Sequence, residues 1–183
     1  MTVHLRREIE KLRRMISSLA TRVEENVEKA VTSVVEKDQA LAREVIESDP
    51  AIDESEVVVE EECLKILALH QPVANDLRYI VAVLKMNNDL ERIGDLAANI
   101  ADIGLHLAVI EDLPIPYDLE GLVRRVRAML EKSLDAMMEM NADLAREVGG
   151  MDDEVDAINR RVYPDVQAAI RKHPDQIDSL IRL

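Results

Sequence analysis

Four acidic residues stand at spacings that could do chemistry. Asp49 and Asp53 are four residues apart, and so are Glu91 and Asp95. On a helix that spacing places both carboxylates on one face, where like charges repel by a few tenths of a kcal/mol, on the order of an i,i+4 pair. A bound cation removes the repulsion. Oxygen-only donors suit hard ions such as iron, manganese, magnesium or calcium. With no His or Cys nearby, the set does not read as a dedicated zinc or copper site.

The two pairs are related by the chain between them. His70-Gln71-Pro72 is a turn signal, because the residue before a proline is biased out of helical geometry. If helices on either side fold back antiparallel, residues equidistant from the turn lie at one level. Asp53 and Glu91 are equidistant from it, as are Asp49 and Asp95, so four carboxylates are expected to converge. At about 100° per residue, Glu91 and Asp95 lie roughly 100° and 140° round the helix from the apolar Leu90, which puts the site on the surface. In a chain with 37 acidic residues either pair alone would read as an ordinary solvated face. Their mirrored placement is what favours a metal site.

The first pair recurs. Leu41-Ala42-Arg43-Glu44-Val45 is repeated letter for letter as Leu144-Ala145-Arg146-Glu147-Val148, and at the same offset Asp49 matches Asp152 and Asp53 matches Asp156. Apolar positions follow: Val23, Val27, Val31 and Val34 match Val126, Leu130, Leu134 and Met137. This is an internal duplication, and the recurrence of the first pair as Asp152 and Asp156 adds to the case for a metal site.

Other reactive residues carry less. His4, His70, His106 and His173 are scattered singly, without the partners of a nucleophilic triad. Cys63 reads as a buried core thiol and cannot form an internal disulfide, being the only cysteine. Met137, Met138 and Met140 read as adaptable core, and Gly94 belongs to no phosphate-cradling loop.

The elements that hold these residues are helical. Phe and Trp are absent, Gly and Pro are scarce, and helix-forming residues dominate. From Leu5 apolar residues run at three-four spacing through Ile9, Leu12, Ile16, Leu19, Val23, Val27, Ala30 and Val34, a first long helix. A turn at Lys37-Asp38-Gln39 opens a second, expected to break briefly at Asp49-Pro50, with Asp49 as an N-cap. A third, from beyond Pro72, carries Val83, Met86, Leu90, Ile93, Ala97, Ile100 and Leu107, and ends by Leu113-Pro114-Ile115-Pro116. Leu119, Leu122, Val126, Met129 and Leu130 begin a fourth. The expectation is an all-α protein of three-helix-bundle repeats. The first bundle spans residues 1–112 and the second 117–183. The second is incomplete, since its counterpart of the Gln71-Pro72 turn falls at His173-Pro174, close to Leu183. Either the sequence is a truncated form or another chain supplies the missing helix to cover the apolar faces of helices four and five, and a homodimer is expected.

Composition excludes some functions. The formal charge of -14 repels phosphate backbones, and no basic stripe with interleaved aromatics offsets it, so nucleic acid is not an expected partner. No apolar run reaches membrane-spanning length and the N-terminus is not a signal-peptide core, which points to the cytoplasm. A carboxylate-bridged di-metal enzyme is the alternative function, but the Glu-x-x-His pairs of such bundles do not occur. A purely structural coiled coil is disfavoured by the Pro72 turn and the duplication.

The segments Gln71-Pro72-Val73-Ala74-Asn75-Asp76-Leu77-Arg78, Asp89-Leu90-Glu91-Arg92-Ile93-Gly94-Asp95 and Asn99-Ile100-Ala101 resemble the signature of the PhoU family. The resemblance extends more loosely over roughly residues 12 to 175. It implies two three-helix bundles with multinuclear metal clusters on Glu/Asp-x-x-x-Asp motifs. It also implies a non-enzymatic negative regulator that links the phosphate transporter ATPase subunit to a sensor histidine kinase. Glu91 and Asp95 match the motif directly, Asp49 and Asp53 are the implied facing pair, and Asp152 and Asp156 begin the second site. The matching motif of a last helix is absent here.

Overall fold

A computed structural model describes residues 3–110 and 115–182. All regular elements among them are helical: α1 (Val3–Val35), α2 (Gln39–His70), α3 (Ala74–Ala108), α4 (Leu119–Met138), α5 (Ala142–Lys172), a 3-10 turn (Pro174–Gln176) and the short α6 (Ile177–Leu180). The first three pack on one another as an up-down-up bundle.

Helix α1 buries the expected stripe Leu5, Ile9, Leu12, Ile16, Leu19, Val23, Ala30 and Val34. Val27 is only half-buried, and Asn26 takes its place, donating from Nδ2 to Ser48 Oγ of α2 at 2.8 Å. A straight helix drifts about 20° per heptad against a three-four pattern, and after three heptads from Leu5 that drift has brought a polar residue inward. Asp38 caps α2, its carboxylate accepting from the backbone N–H groups of Ala40 and Leu41.

The break expected at Asp49-Pro50 is absent. Helix α2 runs through Pro50, and Asp49 lies inside it rather than at a cap. The proline is exposed and its ring projects to solvent. Val45 and Ile52, fully buried on either side of it, hold the two halves against the bundle at the cost of one backbone hydrogen bond. Gln71 then adopts a left-handed conformation, φ 43°, and its N–H reaches Leu67 O, reversing the chain into α3.

The seam of α3 is more polar and smaller than its apolar pattern suggested. Asn87, Gly94, Ala101 and Gly104 are buried alongside Ile80, Val83, Leu90, Ala97 and Leu107. Met86, Ile93 and Ile100 are half-buried on the flank. They are not idle: Met86 and Ile93 pack on the main core together with Leu130, Leu134 and Met137 of α4. Helix α3 ends at Ala108, before Leu113-Pro114 as expected. Those two residues, like the boundary at residue 112, lie outside the described ones.

Helices α4 and α5 form a second hairpin, with Asn141 capping α5. Its contacts with the first three helices run through α4 on α1 and α3, with an Arg127–Glu28 ion pair of 2.9 Å to α1 and Met138 packed by Tyr79 of α3, and through a small cluster of Val34, Leu107, Ala169 and Leu180. Ala169 is the only fully buried residue of α5 among those described. Its apolar stripe of Leu144, Val148, Met151, Val155, Ile158 and Val162 is half-buried.

Candidate metal centre

The α2–α3 hairpin sets the register of the acidic residues. Ile52 lies against Gly94, where an added Cβ would come within 3.1 Å of its side chain. Asn87 Nδ2 donates to Glu56 O at 2.9 Å and to Glu56 Oε1 at 3.1 Å. These contacts carry Asp49 and Asp53 to the level of Asp95. Asp49, Asp53 and Asp95 each offer a carboxylate oxygen, and the three oxygens lie within 4.8 Å of one another. It is the one such group among the described residues.

Asp49 is the half-buried member, while Asp53 and Asp95 are exposed. Asp49 Oδ1 is shielded from solvent and has no hydrogen-bond partner, which costs about 1–3 kcal/mol for a buried acceptor. It sits 3.8 Å from where a Cβ on Gly94 would be, so glycine keeps the space beside it open. Burial, and then repulsion from Asp53 and Asp95, push the Asp49 carboxyl above its ordinary range. An orphaned oxygen, converging like charges and room beside them are what a hard cation would relieve, so these residues fit such an ion.

Glu91 stands beside this trio and outside it. Its carboxyl is raised by burial first, then by Asp95, Asp53, Glu56 and Asp49, so the same acidic field includes it. Glu56 was not anticipated. Burial, Glu60 and Asp53 raise its carboxyl, and Asn87 holds it in place. Its one sequence signal is the three-residue step from Asp53, which puts both on one face of α2. Glu91 and Glu56 could extend the donor set to a second ion.

Asp152 and Asp156 are different. Both are exposed on α5, and neither joins a three-ligand group among the described residues. Among the described residues α5 packs mainly on α4, and no third long helix lies against it as α3 lies against α2. Cys63 is fully buried, and burial pushes its thiol up to about 12, as expected of a core residue.

The chain matches the PhoU domain over residues 16–104 and 119–183. It is 34% identical over 175 residues to the phosphate-specific transport system accessory protein PhoU homolog of Pseudomonas putida, covering 95% of this chain and 68% of that one. The chain belongs to the PhoU family. PhoU of Escherichia coli K12 is 33% identical over 177 residues, covering 94% of this chain and 73% of its own length. The crystal structure of PhoU from Pseudomonas aeruginosa superposes with a TM-score of 0.89 at 32% identity, covering 97% of this chain and 85% of that one. The phosphate transport system regulatory protein PhoU from Streptococcus pneumoniae gives 0.84 at 25% identity, covering 97% and 88%. The PhoU relatives share the helical fold that positions Asp49, Asp53 and Asp95.

Proposed function

We propose that this chain is a metal-dependent accessory protein of phosphate transport. It acts in the cytoplasm as a negative regulator and an adaptor between the transporter ATPase subunit and a sensor histidine kinase. Membership of the PhoU family supports the phosphate-transport role, since the relatives named above are accessory proteins of that system. No helix among the described residues is long and apolar enough to cross a membrane, so its link to the transporter runs through protein contacts.

The observation that carries metal dependence is the convergence of Asp49, Asp53 and Asp95 on an outward face, with Asp49 Oδ1 buried and unpartnered. Iron, manganese or magnesium bound there would neutralise the acidic face and lock α2 to α3. Asp49 orients one oxygen from the helix interface, while the exposed Asp53 and Asp95 leave open positions toward solvent or a partner. That exposure favours a regulatory site over a di-metal enzyme, whose ligands project into a bundle interior. The half-buried apolar stripe of α5 supports a homodimer.

Phosphate uptake in cells lacking their own PhoU tests this role. The chain is expected to restore restrained uptake, and the Asp49→Asn/Asp95→Asn double variant to restore little of it. Uptake unchanged by the unmodified chain would contradict the regulatory role, and full restoration by the variant would contradict its dependence on metal.

A further inference from the structure

Three grooves run along the bundle of α1, α2 and α3. Helix α4 covers the one between α1 and α3, its Met138 Sδ 3.8 Å from Tyr79 Oη and 4.0 Å from Ser17 Oγ. The groove between α2 and α3 carries the carboxylates. The third, between α1 and α2, is an open cavity of about 440 Å³, and its charge is opposite in sign to that of the whole chain.

The sign comes from α1. Over residues 3–22 it holds Arg6, Arg7, Lys11, Arg13, Arg14 and Arg22 against only Glu8 and Glu10, in a chain of net charge -14. Of these, Lys11, Arg14 and Arg22 line the groove. Lys11 is engaged by Glu62 at 2.7 Å. Arg14 forms no ion pair among the described residues, and Arg22 has only the neutral Ser55 Oγ at 3.3 Å. Glu54 is the one acid among the lining residues. The floor between the two guanidiniums is apolar: Met15, Leu19 and Val59, with Val58 53% exposed at the edge.

We infer that this groove is a docking site for an acidic amphipathic helix of a partner protein. Two unneutralised guanidiniums flanking an apolar floor match a helix with an apolar stripe bordered by carboxylates, the helix-in-groove mode of recognition. Arg14 and Arg22 are eight residues apart on α1, about 12 Å at 1.5 Å per residue. The partner therefore presents acidic side chains about two turns apart. A nucleic acid fits less well, because the groove lacks aromatic stacking positions and the chain's net charge of -14 repels a phosphate backbone. The inference names a docking face for the accessory role proposed above and rests on it only for the existence of a partner.

The test uses the full chain and a fluorescent synthetic helix with leucines on one face and glutamates two turns apart on its border. Its counterpart carries lysine for each glutamate. By anisotropy the acidic peptide is expected to bind, to weaken as salt is raised, and to bind at least about tenfold more tightly than the basic one. Arg14→Glu/Arg22→Glu is expected to lower that affinity about tenfold or more. Val58→Glu, at a half-exposed position that leaves the fold intact, is expected to lower it in the same direction. Absence of binding, equal binding of both peptides, or indifference to both variants overturns the proposal. So does conversion of a dimer to a monomer by Arg14→Glu/Arg22→Glu, which assigns the groove to a second copy of the chain. Both arginines lie outside the carboxylate site, so failure here leaves the uptake assay standing as an independent test.

Discussion

Glu62 has 8% of its surface exposed, at the interface of α1 and α2, with Lys11 Nζ at 2.7 Å and Lys65 Nζ at 3.0 Å. Burial alone would raise its carboxyl. The hydrogen bonds from Lys11 and Lys65 outweigh burial and hold it at about 2 against an ordinary 4.5. A depressed acid stabilises the fold above its unfolded value and loses that contribution as pH falls through the folded one. The lysines are about half exposed, which screens the pairs. Glu62→Gln is therefore expected to cost about 1–2 kcal/mol at pH 7, with the difference shrinking between roughly pH 5 and pH 2 in urea titrations. A pH-independent difference would assign the effect to packing alone. Glu62 shows how a residue's type can mislead: among the three consecutive glutamates Glu60, Glu61 and Glu62 nothing in residue type marks the last as the one that faces inward. The aspartates were more legible, because spacing and mirror placement sufficed to bring Asp49, Asp53 and Asp95 together. That Asp49 would be the orphaned member depends on side-chain packing that no spacing encodes, and for Glu56 the three-residue step from Asp53 marks only a shared helix face, not the hold of Asn87.

The helices themselves were readable from periodicity, and their errors have local causes. Pro50 signalled a break, but tertiary burial of Val45 and Ile52 outweighs one missing hydrogen bond. The small residues of α3 were invisible to an apolar count, yet they set how closely the helices approach. An added Cβ at Gly104 would lie 2.8 Å from Ser33 Oγ and 3.3 Å from Val34 Cγ2, both on α1. At Gly149, inside α5, it would meet nothing within 4 Å. Replacing a helical glycine by alanine gains about 0.5–1 kcal/mol, whereas overpacking a tight contact costs about 1–3 kcal/mol. Gly149→Ala is accordingly expected to stabilise by about 0.5–1 kcal/mol. Gly104→Ala is expected to destabilise by about 1–2 kcal/mol in thermal unfolding. The same sign at both positions would refute the close α1–α3 approach as the reason for Gly104.

For the molecule as a whole, the duplication was legible letter by letter, but its structural outcome was not. Matching residues fold into matching helices, yet α2 meets α3 across a full interface while α5 meets mainly α4. Asp49 and Asp53 thereby acquire Asp95 as a third converging carboxylate, and Asp152 and Asp156 remain exposed. Sequence period says which face of a helix is apolar and not which neighbour covers it, which is also why the seat of α4 on α1 and α3 went unforeseen. Net charge was equally coarse: a value of -14 hides an acidic face on α2–α3 and a basic groove on α1–α2 within one bundle. Metal dependence rests on the acidic face. Elemental analysis of the purified chain, coupled to a mass measurement in solution, tests it most directly. Iron, manganese or magnesium is expected in the unmodified chain and in Asp152→Ala, and is expected to be lost in Asp95→Ala. A metal-free chain after incubation with each ion, or metal retained undiminished in Asp95→Ala, would contradict the assignment of Asp49, Asp53 and Asp95 as its site.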